Sequence, residues 1–134
     1  MTLVDTSAWV EYLRATGSPA HERVRVMIET GAELHTTDVV VMEVLAGARD
    51  EAHAHRLQRL LSGCQFVPTK GLGDFESAAA LYRRCRYRGE TVRALADCLI
   101  AAVAIRTGLR VLSADRDFDV LARHSELENV DGAP

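Results

Sequence analysis

The chain opens with Met1-Thr2-Leu3-Val4-Asp5-Thr6-Ser7-Ala8-Trp9-Val10-Glu11-Tyr12-Leu13, in which a short apolar run ends at an acid and a second apolar segment follows. The first run has the length and residue types of a short buried strand over residues 2–4. Thr6 or Ser7 can cap a helix that continues to Leu13. Asp5 therefore stands where a buried strand gives way to a helix, a junction that α/β folds repeat.

The same alternation of short strands and longer amphipathic helices continues along the chain. Further strands are predicted at residues 34–36, 65–67 and 110–114, with a weak last strand at 127–130. Helices are predicted at residues 8–13, 18–31, 50–62, 74–88, 91–107 and 117–124. This order predicts an α/β fold in which helices flank a central, mainly parallel sheet.

One segment fits two kinds of secondary structure, namely Val39-Val40-Val41-Met42-Glu43-Val44-Leu45-Ala46-Gly47. Its β-branched residues favour a strand. Its length, its closing glycine and the capping residues Thr37 or Asp38 before it favour a buried helix. We predict a helix here.

The composition is that of an ordinary globular protein. The 134 residues suit one domain over 1–134, and a hydrophobic content of 48% is enough for a full core. Because the formal net charge is −3, nucleic acid would have to bind at a local basic patch. No uncharged apolar stretch reaches membrane-spanning length, and the start carries no basic leader. The cysteines Cys64, Cys85 and Cys98 form no paired motif, so we expect reduced thiols in a cytoplasmic protein with no membrane partner.

Five acids stand at the ends of predicted elements or interrupt apolar runs. They are Asp5, Glu43, Asp97, Asp115 and Asp117. Each has an ordinary structural explanation when it is taken alone. Helix capping or the helix dipole could account for the four aspartates, and a helix-surface position could account for the glutamate.

A shared site explains the five acids together. In an open parallel sheet, sites form outside the carboxyl ends of the strands, and Asp5 and Asp115 follow two such ends. Gathered carboxylates repel one another and remain ionised only beside a cation. Oxygen ligands without a neighbouring His or Cys select Mg²⁺ or Mn²⁺, which commonly serve phosphoryl chemistry. The acids therefore predict a divalent metal centre.

Four short motifs resemble those of the PIN-domain family, and together they span nearly the whole chain. The motifs are Val4-Asp5-Thr6-Ser7, Met42-Glu43-Val44-Leu45-Ala46-Gly47, Ala96-Asp97-Cys98-Leu99-Ile100-Ala101-Ala102 and Ser113-Ala114-Asp115-Arg116-Asp117-Phe118. Their order and the chain length are similar to those of the VapC toxins of bacterial toxin–antitoxin pairs. The resemblance implies a PIN-like α/β/α sandwich with Mg²⁺- or Mn²⁺-dependent endoribonuclease activity. It also implies a homodimer and a cognate VapB-like antitoxin whose tail covers the acidic pocket.

The resemblance also implies a role for individual residues. The core catalytic and metal-binding acids would be Asp5, Glu43, Asp97 and Asp115, with Asp117 as an auxiliary metal ligand. Ser7 would orient the first of these acids. Ser113 stands where the family often has Thr, a change that keeps the hydroxyl.

Arginines that could contact RNA cluster in one part of the sequence. They are Arg83, Arg84, Arg86 and Arg88, to which Arg116 adds a position between two candidate metal ligands. Arginine contacts phosphate well, and Tyr87 could stack on a base. The alternative is a solvated helix face.

Two other functions remain open from the residues themselves. An aspartate-based phosphatase or receiver-like domain also places acids at strand ends, although Asp5 has no second acid two residues later and no suitably placed Lys follows a late strand. A non-catalytic PIN module would only bind RNA or a partner, and the full set of acids argues against it.

Overall fold

The computed structural model describes residues 1–130, in which strands and helices alternate. The strands are β1 (Thr2–Val4), β2 (Leu34–Thr36), β3 (Gln65–Phe66) and β4 (Arg110–Leu112). The helices are α1 (Thr6–Leu13), α2 (Pro19–Glu29), α3 (Asp38–Ala46), α4 (Glu51–Ser62), α5 (Gly71–Tyr87), α6 (Leu95–Thr107) and α7 (Arg116–Arg123). The predicted domain 1–134 includes residues 131–134, which lie outside the described part of the chain.

The four strands form one parallel sheet in the order β3-β2-β1-β4. Helices flank this sheet, which confirms the predicted α/β class. The central strand β1 is buried, with Leu3 and Val4 at 0% exposure, as expected for a strand covered on both faces. Val4 pairs with Leu112, so the carboxyl ends of β1 and β4 lie side by side. The residues that follow these two strands are therefore brought together.

Helix α6 is the most deeply buried helix segment, and it carries one of the candidate acids. All eight residues from 97 to 104 are buried, and α6 packs along α5. Its run of small and branched apolar residues suits a helix that is covered on all sides. The helix ends at Gly108, whose φ of 70° is the left-handed conformation that glycine adopts at low cost. Residues near its amino terminus are thereby fixed against the sheet.

The ambiguous valine-rich segment is helical, as predicted. Helix α3 places its residues Val39, Val40 and Val44 in the core, so tertiary packing outweighs the β propensity of the segment. Within residues 1–130, no helix has both the length and the apolar character required to cross a lipid bilayer.

Several predicted boundaries were wrong. Helix α5 begins at Gly71 instead of residue 74, and Asp74 accepts a hydrogen bond from the Lys70 amide at 2.7 Å within this first turn. Helix α6 begins at Leu95 instead of residue 91. The weak last strand reduces to a single bridge between Val111 and Asn129. The errors lie at element ends, and at the starts of α5 and α6 a carboxylate side chain accepts from the backbone amides that precede the helix.

Two side-chain predictions near these elements were also wrong. The first helix is capped by Asp5, whose side chain accepts from the Ser7 amide, and not by Thr6 or Ser7. The helical spacing of Phe75, Ala78, Tyr82 and Cys85 predicts one buried face of α5, but Phe75 is 54% exposed, whereas the neighbouring Asp74 is buried. Asp74 takes that position because Arg106 neutralises its charge at 2.9 Å.

Candidate metal centre

Asp5 lies at the carboxyl end of β1 and is 2% exposed. Its Oδ2 atom accepts hydrogen bonds from the amide of Ser7 at 3.0 Å and from the hydroxyl of the same residue. The other oxygen, Oδ1, is buried and has no hydrogen-bond partner among the described residues. Asp5 therefore caps α1 with one oxygen and leaves the second available, although an unpaired buried carboxylate oxygen is costly.

Ser7 and Ser113 connect the loop after β1 to the loop after β4. Their hydroxyl oxygens lie 3.2 Å apart. The amide of Ala114 donates to Ser7 Oγ at 2.9 Å, and the amide of Asp115 donates to Ser113 Oγ at 2.8 Å. The two hydroxyls therefore fix the first acid relative to the acidic loop before α7.

Asp97, Asp115 and Asp117 form a compact group of carboxylates. One oxygen from each lies within 4.8 Å of the other two. Oxygens bound to a common Mg²⁺ or Ca²⁺ at about 2.0–2.6 Å can be separated by at most about 4–5 Å, so the group fits a shared divalent ion. Asp97 Oδ2 is buried and has no hydrogen-bond partner among residues 1–130, which is the second orphaned oxygen of the site. The geometry and the orphaned oxygen both fit a bound cation.

Burial and neighbouring acids favour the protonated form of Asp97. Burial, followed by the charge of Asp5, raises the pKa of Asp97 to about 8, and a hydrogen bond to Asp117 acts in the same direction. A proton on Asp97 can therefore bridge two carboxylates where a cation would otherwise compensate them. Burial also raises the pKa of Asp5 to about 6, although its hydrogen bonds to Ser7 oppose that shift.

Asp117 is held by the start of α6. Its carboxylate accepts from the amides of Arg93 at 3.1 Å and Ala94 at 3.2 Å. Burial favours the neutral acid, but these amide hydrogen bonds and the bond from Asp97 keep the pKa of Asp117 below its ordinary value. Asp115 caps α7 by accepting from the amide of Asp117 at 2.9 Å. The caps of two helices thus position the acids.

The side chain of Arg93, which follows the arginine cluster of residues 83–88 in the sequence, reaches the acids. Its guanidinium lies 3.2 Å from Asp115 and 3.5 Å from Asp117, while 63% of the side chain is exposed. Arg93 lies four residues before Asp97, a spacing that brings side chains together only within a helix. Because α6 begins at Leu95, Arg93 approaches the acids from the loop before this helix.

Glu43 borders the group without joining it. Within residues 1–130 the group of close oxygens includes neither Glu43 nor Asp5. Glu43 Oε1 accepts from Thr6 Oγ1 at 2.7 Å, and the glutamate charge contributes to the raised pKa of Asp5. Asp5 therefore links the five acids, because the charge of Glu43 acts on Asp5 and the charge of Asp5 acts on Asp97 of the three-aspartate group.

The arginines predicted to contact RNA lie in two separate places. Arg83, Arg84, Arg86 and Arg88 lie at the carboxyl end of α5. Two of the four are already engaged, because Arg84 donates to the carbonyl of His124 at 3.3 Å and Arg86 stacks over two tyrosine rings. Arg116 is the first residue of α7 and lines a cavity of about 560 Å³ together with Asp115.

The sequence and the fold of the chain are similar to those of known proteins. Residues 2–124 match the PIN domain family. The chain belongs to the PIN-domain family. The PIN-domain relatives include the protein named Ribonuclease VapC11 from Mycobacterium tuberculosis, which is 47% identical over 129 residues, or 96% of each chain. The VapC ribonuclease Mb1587 of Mycobacterium bovis has the same identity and coverage. The structure of VapBC2 from Rickettsia felis bound to a promoter DNA fragment shares the fold, with a TM-score of 0.74, 13% identity and 96% coverage of both chains.

Proposed function

We propose that this PIN-domain protein is a metal-dependent endoribonuclease and the toxin of a VapBC-type toxin–antitoxin pair. The observation that carries the proposal is the convergence of Asp97, Asp115 and Asp117 to within 4.8 Å, next to a buried Asp5. The 47% identical relatives that are named ribonucleases support the same activity. PIN nucleases generally depend on a divalent metal, and we propose Mg²⁺ or Mn²⁺ here because the ligands are all carboxylate oxygens.

We propose that the three grouped aspartates and Asp5 hold the metal, with Glu43 at the border of the site. The two orphaned oxygens, Asp5 Oδ1 and Asp97 Oδ2, support this assignment because they are buried without another partner among residues 1–130. A bound divalent ion would activate water and stabilise the departing oxygen of a phosphodiester. Ser7 keeps the Asp5 carboxylate in one orientation, and Ser113 holds the loop that presents Asp115.

The cationic side chains around the acids have a second role in this proposal. Arg93 lies 3.2 Å from Asp115 and is mostly exposed, so it can turn towards an incoming phosphate while staying beside the acids. Arg116 lines a cavity together with Asp115. The four arginines at the end of α5, Arg83, Arg84, Arg86 and Arg88, remain further candidate RNA contacts.

The proposed partners are RNA as substrate and a VapB-like antitoxin. The likeness to a VapBC complex supports the antitoxin through the shared fold. A homodimer and a single domain over residues 1–134 remain predictions. Residues 64, 85 and 98 are free thiols, which supports the proposed cytoplasmic location.

The experiment that tests the proposal is cleavage of a labelled single-stranded RNA by the purified protein. We expect cleavage in Mg²⁺ or Mn²⁺ and its loss on addition of EDTA. An Asp97→Asn variant should be inactive, whereas an Asp119→Asn variant should cleave normally because Asp119 is an exposed acid on the same helix as Asp117. RNA binding without cleavage in any divalent metal would refute the proposal and favour a non-catalytic module. If the protein does cleave RNA, mapping new RNA 5′ ends in cells would identify the target.

A further inference from the structure

A groove on the surface of α1, α3 and α4 carries an arginine cluster that the nuclease assignment does not use. The cavity has a volume of about 540 Å³, and its lining includes Arg14, Arg49, His53 and Arg56. The three arginines are exposed, one at the end of α1, one between α3 and α4, and one on α4. We call these four residues and the cavity between them the arginine groove.

The arginine groove has an apolar floor and a cationic rim. Val44 and Leu57 line it and are only 5% and 4% exposed, so its base belongs to the protein core. The rim is held in place locally: the Asp50 side chain accepts from the amide of His53 at 2.7 Å, and the amide of Arg49 donates to His53 Nδ1 at 3.0 Å. Asp50 offsets part of the charge, because its carboxylate lies within electrostatic reach of Arg56 and Arg49. Three arginines against this acid and Glu43 still leave the groove positive.

Glu43 connects the arginine groove to the acidic centre. The glutamate lines the groove, and its Oε1 atom accepts from Thr6 at 2.7 Å. Its charge also acts on Asp5. The arginine groove therefore borders the acid whose charge acts on Asp5.

A second cavity borders Asp115 of the acidic centre, and its charge differs. This cavity of about 560 Å³ is lined by Glu11, Asp115 and Asp119, with Arg116 as its cation. A polyanion is repelled by a surface with three acids and one arginine, and it is attracted by one with three arginines. Of the two routes away from the acidic centre, the arginine groove is therefore the one suited to a phosphate backbone.

We propose that Arg14, Arg49 and Arg56 bind consecutive phosphates of the RNA strand on one side of the cleaved bond. The inference rests on the proposed function, since it assigns the path of that substrate. Guanidinium groups bind phosphate oxygens with two parallel hydrogen bonds, which orients the strand as well as attracting it. The apolar floor offers a surface for sugars or bases between these contacts.

The test compares two double variants with equal loss of charge. Arg49→Gln combined with Arg56→Gln removes two groove cations. Arg59→Gln combined with Arg110→Gln is the control, because both arginines are exposed and lie outside the groove lining. Arg59 is on the same helix as Arg56, so the pair also controls for effects on α4. Thermal unfolding of each variant verifies that the fold is retained.

RNA binding is measured in an Asp97→Asn background, which keeps the labelled single-stranded RNA uncut. We expect the groove variant to bind about tenfold more weakly than the control. The slope of log affinity against log salt should also become shallower by about 1.4, at about 0.7 for each phosphate contact to a single strand. Equal affinity and equal slope in the two variants would overturn the groove assignment.

Two further outcomes separate this inference from the function on which it rests. Absence of cleavage by the unmodified chain, with RNA binding that still depends on the groove arginines, would refute the nuclease and retain the groove. If the groove variant binds RNA like the control but loses affinity for an antitoxin peptide, the groove is a protein-binding surface and the RNA path is wrong.

Discussion

Replacing Asp97 with Asn should stabilise the metal-free protein, even though it removes a core acid of the proposed site. Asp97 is 7% exposed and lies within 4.8 Å of two other carboxylates. Two unit charges at 4.8 Å repel by about 3.5 kcal/mol at an effective dielectric constant of about 20. The asparagine keeps the shape and can still donate a hydrogen bond to Asp117, in place of the proton that the acid retains when its pKa is about 8.

The expected size of the effect is smaller than the full repulsion. Because the pKa of Asp97 is raised to about 8, the acid is only partly ionised near pH 8, and relief of repulsion should contribute about 2 kcal/mol there. For a chain of 134 residues this corresponds to a rise of about 6–8 °C in melting temperature. Magnesium should reverse the order: at 100 times its dissociation constant an ion stabilises the folded state by about 2.7 kcal/mol, and the variant lacks a ligand for it.

The assay is thermal unfolding at pH 8, in EDTA and in saturating MgCl₂, for the unmodified chain, Asp97→Asn and Asp119→Asn. The last variant removes an exposed acid of α7 and should follow the unmodified chain in both conditions. The reasoning is refuted if Asp97→Asn melts below the unmodified chain in EDTA, or if it retains the full stabilisation by magnesium.

Three further predictions concern the ion pair between α5 and α6, the pH dependence of stability and the serine bridge. Arg106→Gln leaves the 3% exposed Asp74 carboxylate without its cation and should lower the free energy of unfolding by about 2–3 kcal/mol in urea titration, while Arg110→Gln should change it by less than about 0.5 kcal/mol. In EDTA, stability should fall as the pH rises from about 4 to 8, because the raised pKa values of Asp5 (about 6) and Asp97 (about 8) mean that the folded state binds more protons than the unfolded state; a flat melting temperature over this range would contradict it. Ser7→Ala removes the side-chain hydrogen bond to the Asp5 carboxylate, leaves the one from the Ser7 amide, and removes the acceptor of the Ala114 amide. The kcat should therefore fall about tenfold or more with the fold intact, and an unchanged kcat would remove the orienting role of the Ser7 hydroxyl.

The sequence predicted the layer order of this fold well, because the apolar runs are short and alternate with longer amphipathic segments. Thr2–Val4 and Leu34–Thr36 match their predicted bounds. The misplaced start of α6 has a different origin: the amides of Arg93 and Ala94 bond to Asp117, which is 23 or more residues away. No local pattern contains that contact, so the helix start could not be predicted from its own segment.

The site shows the same division between local and long-range information. Asp5 and Asp115 could be placed from the sequence, since each directly follows a strand and the strands pair in parallel. The role of Arg93 and the arginine groove depend on how α1, α3, α4 and the loop before α6 pack, which no spacing along the chain reveals. An acid that follows a strand can be recognised from its own segment of the sequence. The arginines around the acids come from several elements, so their grouping depends on the tertiary fold.

The two explanations of these acids, helix capping and metal binding, turn out not to compete. Asp5 uses Oδ2 to cap α1 and leaves Oδ1 unpaired. Asp115 caps α7, and Asp117 binds the amides that precede α6. Capping needs one carboxylate oxygen and fixes the direction of the other, so helix starts at the carboxyl edge of a parallel sheet present oxygens that are already oriented. Separating Asp5, Asp115 and Asp117 would break these hydrogen bonds, so their like charges are held close together and a cation should stabilise them.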